Sequence, residues 1–153
     1  MPSTFVIVTR TEHPVDAMFA ASLDIDAHLA SMHDSGETAV GGVTSGSIGL
    51  GESVTWRARH FGIWFTLTSC ITALDRPHRF VDEQVSGPFR SFVHEHAFVQ
   101  DAGTTVMTDT LTVASPFFGR LAERVVLVPY LRRLIRKRNA YLVASLDAAV
   151  DGT

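Results

Sequence analysis

Between Phe80 and Val113 the chain reads FVDEQVSGPFRSFVHEHAFVQDAGTTVMTDTLTV, and no other stretch limits the fold as much. Two clusters of turn-forming residues interrupt it, Val85-Ser86-Gly87-Pro88 and Gln100-Asp101-Ala102-Gly103. The segments between alternate, and side chains two apart share one face of a strand. Three long antiparallel strands are expected. One face carries Phe92, His94, His96 and Phe98. The next strand splits into a row of Met107, Asp109, Leu111 and Val113 and a row of Thr108, Thr110 and Thr112. Threonine suits a wet pleated surface, so the Met/Asp/Leu/Val row is expected to face inward. An aspartate among apolar groups is costly unless it is paired, and a histidine of the neighbouring strand is the nearest partner.

The rest of the chain adds strands at hairpin spacing. Ser3–Thr11 is β-branched and aromatic and ends before Pro14, which suits the first turn of a helix over Val15–Ala21. Ser22 is placed to cap a second short helix, Leu23–Met32. Strands are predicted at Glu37–Val43, Glu52–Arg59, Ile63–Leu74 and His78–Val85, which makes seven in all, the last six antiparallel by connection length. The glycines at 41, 42, 46, 49 and 51 lack the Lys and Ser/Thr of a phosphate loop and read as a flexible connection. From Phe117 to about Ala149 the chain is helical, with a break or kink expected at Pro129. Arg132, Arg133, Arg136, Lys137 and Arg138 are expected on its outward turns, as a solvated face.

A chain of 153 residues with 46% hydrophobic and 19% charged residues is long and apolar enough for one domain, 1–153, with a sizeable core. A net charge of -3 argues against a nucleic-acid partner. The single Cys70 cannot form an internal disulfide, and with no signal-peptide plan and no run of ~18 apolar residues the expectation is a cytoplasmic protein without a transmembrane segment. Cys70 itself, in the strand LTSCITAL, is expected to be buried and inert. A homodimer stays open.

Strand, two short helices, six strands and one long helix make an uncommon order. A strongly curved antiparallel sheet must cover its concave face, and one helix seals its edges better than its floor. A cavity between helix and sheet follows from the topology, and such cavities are default ligand sites. This order, together with GESVTWRARHFG at Gly51–Gly62, RFVDEQVSGPF at Arg79–Phe89 and FVHEHAF at Phe92–Phe98, resembles the START-like superfamily. Within it the chain is similar to small bacterial proteins described as polyketide cyclase/dehydrase-like, or SRPBCC. The resemblance spans nearly the whole chain and implies an α+β helix-grip (START/Bet v 1-like) fold. In it a curved seven-stranded antiparallel sheet wraps on a long C-terminal helix, with two short helices after strand one. It leaves function open, because that superfamily includes lipid carriers, receptors and aromatase/cyclases. Phe92 stands where relatives often carry tryptophan, and Val113 where they often carry tyrosine, so a wider and drier pocket is expected.

The residues expected to line one cavity are Trp56, His60, Phe80, Asp82, Gln84, Phe92, His94, His96, Phe98, Met107, Asp109 and Leu111, with Leu131, Ile135 and Leu142 from the long helix. The expected occupant is a hydrophobic small molecule that is lipid-, polyketide- or aromatic-like. A buried His–Asp pair also suits proton transfer, because the carboxylate fixes the imidazole tautomer. On that alternative the chain is a cofactor-independent cyclase or dehydratase, with His94 or His96 as base, Asp109 orienting it, and His60 or Gln84 as donor. A metal would find a workable ligand set in His-x-His plus a carboxylate, but the spacing is weak evidence and neither metal nor cofactor is assigned. A third alternative is a protein-interaction module that uses the sheet surface or the basic stripe.

Overall fold

The computed structural model of the chain describes residues 2–115 and 119–152. Pro116, Phe117 and Phe118, and with them the expected start of the helix at Phe117, lie outside the described residues. The elements run β1 (Ser3–Thr11), α1 (Val15–Ser22), α2 (Ile25–Ser31), a 3-10 turn (His33–Ser35), β2 (Thr38–Gly42), β3 (Ser53–His60), β4 (Ile63–Asp75), β5 (Arg79–Ser86), β6 (Ser91–Asp101) and β7 (Thr104–Ala114). The strands form one seven-stranded antiparallel sheet in the order β1-β7-β6-β5-β4-β3-β2. The first strand therefore returns to lie beside the last.

The period-two reading of the central strands holds. Met107, Asp109, Leu111 and Val113 are fully buried at 0% exposure each, while the threonines between them are half-buried. No register shift interrupts β6 against either neighbour, so Phe92, His94, His96 and Phe98 stand opposite Val113, Leu111, Asp109 and Met107. The bulges lie elsewhere, at Ala39/Gly41 in β2 and at two places in the β4–β5 ladder. Cys70 is half-buried on β4, more exposed than its sequence context suggests.

Among the described residues, two apolar clusters form the core. The larger joins Met18, Phe19, Leu23 and Ile25 of the short helices to Phe80, Phe98 and Met107 of the sheet. Phe19 and Phe80 meet edge to face at 5.5 Å, a geometry worth about 1 kcal/mol beyond area burial. The smaller cluster holds Phe5, Ile7 and Leu111, with Leu131 and Ile135 packed against it. On β7, Met107 belongs to one cluster and Leu111 to the other. Asp109 sits between them, at the seam.

The C-terminal segment comprises α3 (Arg120–Ala122), a π-helical turn (Glu123–Leu127) and α4 (Val128–Asp151). The chain does not break at Pro129; the proline occupies the first turn of α4, and the irregularity is the widened turn just before it. A π-turn accommodates both the missing N–H and the ring that would clash with the carbonyl four residues back. Glu123 anchors this turn, accepting from Ser3 Oγ at 2.5 Å and from Ser115 N at 3.0 Å. α4 packs against β1, α1 and α2, and Arg132 lies over the Phe5 ring while donating to Val6 O.

Two local expectations need correction. Ser22 does not cap α2: its Oγ donates to Met18 O, and Asp24 is the cap, accepting from Ala27 N. The glycine-rich connection is tied down, with Ile25 N bonded to Gly46 O and Gly46 N to Asp26 Oδ2. At Gly42 (φ 69°) an added Cβ would fall 2.1 Å from Ser53 O, whereas at Gly46 (φ 71°) it would meet nothing within 4 Å. Both positions carry the left-handed penalty, and only one carries the clash. Gly46→Ala should cost about 1 kcal/mol in urea denaturation, and Gly42→Ala at least about 2 kcal/mol more. Equal losses would show that β2 shifts freely against β3.

Candidate functional site

The sheet register brings a carboxylate opposite each histidine. Asp82 of β5 stands across from His94, and Asp109 of β7 stands across from His96. The hydrogen bonds run diagonally. His94 Nε2 lies 2.7 Å from Asp109 Oδ1, and His96 Nε2 lies 2.9 Å from Asp82 Oδ2. The imidazoles stack with centroids 3.7 Å apart, and Phe80 stacks on the far side of His96 at 4.0 Å. The two imidazoles of β6 thus lie between a carboxylate of β5 and one of β7.

α4 completes the cluster. Asn139 Nδ2 donates to Asp109 Oδ2 at 2.7 Å and to Thr9 Oγ1 at 3.0 Å. Arg138, only 4% exposed, donates to Asn139 Oδ1 and to Ser22 O, both at 3.1 Å. Its guanidinium lies 3.8 Å from Asp109 Oδ1. Arg138 is therefore not part of an outward basic stripe; of the five residues assigned to it, Arg133, Arg136 and Lys137 are exposed. A buried guanidinium is tolerated because two acceptors and a nearby carboxylate replace water.

Electrostatics follow from this packing. Burial alone would raise the Asp109 carboxyl, but His94 and His96 beside it outweigh burial and hold it well below the usual carboxylate range. Asp82 behaves alike: burial is outweighed by the His96 hydrogen bond and by the charges of His94, His96 and Arg138. Burial, then repulsion from His96, lowers His94 to about 4, so it is neutral near pH 7. Its Nε2 carries the proton given to Asp109, and its Nδ1 is a lone pair 4.0 Å from Asp82 Oδ2. His96 Nδ1 is 3.0 Å from Asp109 Oδ1 but off the line of a hydrogen bond.

Asp82, His94 and His96 each offer a ligand atom, all within 4.8 Å of one another. A shared ion needs lone pairs that converge on one point about 2 Å from each nitrogen. The ring planes here are only 24° apart across a 3.7 Å stack, so their in-plane lone pairs run almost side by side. The arrangement holds protons better than an ion.

This cluster forms one wall of a cavity of about 560 Å3 between sheet and helix. Of the residues singled out from the sequence, Trp56, His60, Phe80, Asp82, Phe92, His94, His96, Leu131 and Ile135 line it. Gln84, Phe98, Met107, Asp109, Leu111 and Leu142 do not. Phe98, Met107, Leu111 and Leu142 are at most 1% exposed, because they fill the core behind the wall, and Asp109 is hidden behind the imidazoles. Gln84 is spent on the β5–β6 turn, where its amide donates to Phe89 O and accepts from Phe89 N. Val113, the position where an aromatic was looked for, is likewise buried and off the wall.

A second polar group lies elsewhere on the wall, where the expected His60 is joined by His28, Glu37 and Tyr130. His28 lies against Trp56 with ring centroids 4.3 Å apart, tilted by 36°, and meets Glu37 Oε1 at 2.5 Å. His60 Nδ1 meets Tyr130 Oη at 2.5 Å; burial lowers the imidazole and raises the phenol. Arg138 and Asn139 were legible in principle, since they follow Leu131 and Ile135 at helical spacing and precede Leu142 on the same stripe. Arg138 was hidden because a charge reads as surface.

The neutral burial of His94 sets a pH dependence. The imidazole titrates at 6.5 in the unfolded chain and at about 4 in the folded one, so between these values the unfolded chain binds more protons. This contribution is complete above pH 6.5 and is lost as pH falls toward 4, on the order of 3 kcal/mol in total. The depressed carboxylates act lower still, losing stability as pH falls below their unfolded value of 3.8. Urea-denaturation stability should therefore fall from pH 6.5 to 5, and His94→Phe should flatten that slope. An unchanged slope in the variant would show that His94 is not the group responsible.

No family model matches the chain, and no curated protein matches it. Solved structures do. The Zhui aromatase/cyclase from Streptomyces sp. R1128 superposes with a TM-score of 0.76 at 15% identity, covering 98% of this chain and 96% of that one. Protein Ms6760 from Mycobacterium smegmatis gives 0.71 at 22% identity, covering 95% and 92%. The ginseng major latex-like protein 151 from Panax ginseng gives 0.63 at 13%, covering 93% and 98%. At these identities the likeness carries the fold: the chain is a helix-grip protein, with a curved seven-stranded antiparallel sheet around a long C-terminal helix.

Proposed function

We propose that the protein binds an apolar small molecule in the cavity between sheet and α4. The observation that carries this reading is the wall itself. A space of about 560 Å3 is lined by residues such as Ile71, Phe80, Phe92, Leu127, Leu131 and Ile135, with its polar groups gathered in a few places. That volume and that mixture are those of ligand sites. A packed core would instead leave few voids larger than a water molecule. The Zhui neighbour, an aromatase/cyclase, supports a ring-containing occupant without fixing which. Placement in the cytoplasm belongs to the same proposal and is supported by the lone Cys70.

Native mass spectrometry of protein purified from its own host should show a co-purifying apolar molecule, and the same spectrum reads the assembly state. Leu131→Asp or Ile135→Asp should weaken a fluorescent apolar probe at least tenfold, because a charge would enter an apolar wall. His96→Gln should leave binding within a few fold. The exposed Arg136, reversed to Glu, should leave it unchanged. An apo protein that also fails to bind the probe would sink the cavity reading and favour a protein partner.

A second reading is favoured by one observation: His94 is neutral, has its donor nitrogen fixed by Asp109, and lies on the cavity wall. This is a general base waiting for an acidic C–H beside a carbonyl. The His60–Tyr130 pair, which keeps one donor, would supply the hydrogen bond to the enolate. On this reading the protein should accelerate deuterium exchange at C1 of 2-tetralone at least about a hundredfold over buffer, and His94→Gln should abolish it while probe binding persists. No acceleration in the wild type would leave binding alone.

A further inference from the structure

The polar groups of the cavity are unequal in kind. Among the described residues, three carboxylates line it, Asp24, Glu37 and Asp82, with Asp109 behind the imidazoles, and the only Lys or Arg on the wall is Arg138. That guanidinium is already turned to Asn139 Oδ1 and Ser22 O. At the His/Asp wall the free valences are acceptors. His94 has spent its N–H on Asp109 and keeps the Nδ1 lone pair, and Asp82 accepts from His96 through Oδ2 alone. Asp109 is satisfied by His94 and Asn139. Elsewhere on the wall Glu37 is paired with His28, and the His60–Tyr130 pair is amphoteric. Whichever of His60 and Tyr130 donates in their shared hydrogen bond, the pair is left with one donor and one acceptor.

We infer that the cavity selects apolar ligands whose head group donates hydrogen bonds, a hydroxyl or an ammonium, and rejects carboxylates. Asp82 and the His94 lone pair are the receiving groups. A carboxylate head would bring acceptors to acceptors and a negative charge to a wall that already holds more carboxylates than cations. A hydroxyl supplies the missing donor, and an ammonium also offsets the excess charge. Arg138 does not reverse this: it is 4% exposed, two of its N–H groups are on Asn139 Oδ1 and Ser22 O, and its charge is offset by Asp109 3.8 Å away.

The inference rests on the cavity reading above, and one titration series separates the two. Naphthalene, 2-naphthol, 2-(aminomethyl)naphthalene and 2-naphthoate share one apolar body and differ in the head. Displacement of a fluorescent apolar probe at pH 7.5 gives their relative affinities. Naphthalene binding tests the cavity. The expected result is that the naphthol, the amine or both bind on the order of tenfold tighter than naphthalene, with naphthoate weaker than naphthalene. The two donor arms distinguish a hydroxyl from an ammonium site. Naphthoate binding as tightly as naphthalene, or both donor heads giving no gain over it, would overturn the inference while leaving the cavity intact. No binding by any of the four would overturn both. Asp82→Asn should raise naphthoate affinity relative to the best donor by on the order of tenfold and leave naphthalene unchanged. A role for Asp82 in stability alone would move all four affinities together.

Discussion

A carboxylate with no exposure to water sits at the seam of this structure, and much of the surrounding geometry exists to satisfy it. Asp109 lies between Met107 and Leu111 on a strand whose inward row is otherwise apolar. Left unpaired there it would cost several kcal/mol. Its oxygens are instead met by His94 from the adjacent strand and Asn139 from α4, with the Arg138 guanidinium nearby. Because these donors come from different elements, satisfying the aspartate also fixes where the helix lies on the sheet. A register slip of one residue on β6 would turn His94 and His96 away and leave the charge stranded.

The same demand shapes the cavity. The imidazoles that face Asp109 present their other edges to Asp82 and to the open space, so a group buried behind the wall determines the chemistry on the wall. Holding His94 neutral and aligned is useful to a binding protein as a hydrogen-bond acceptor and to an enzyme as a base. The fold does not choose between these, since one scaffold hosts many chemistries. The choice lies with what enters the remaining volume.

Packing also explains why the cavity stays open. The short helices α1 and α2 fill the space against Phe80, Phe98 and Met107, and the N-terminal half of α4 covers Phe5, Ile7 and Leu111. Between these two apolar blocks a single helix cannot cover the whole floor of the sheet. The π-helical turn before Pro129, clamped through Glu123 to Ser3 and Ser115, ties the start of that helix to the edge strand and the end of β7. Leu127, Tyr130 and Leu131 then follow on the cavity wall.

The strands were legible in the sequence because alternation is local: a strand's two faces are set by a period of two, and turn residues mark its ends. That logic sufficed for the inward row on β7, for the facing of His94 and His96, and for the order of elements that implied the helix-grip fold. The helix was less legible. Leu131, Ile135 and Leu142 marked its inner stripe, yet Arg138 on the same stripe looked like surface, because a charge is buried only where another element supplies its partners. The partners of Asp109 and Asp82, the loss of Gln84 to a turn, the pairing of His28 with Glu37 and of His60 with Tyr130, and the division between wall and core all depend on contacts between residues far apart in the chain. Periodicity says which way a side chain points. Only the packed structure decides what it meets there.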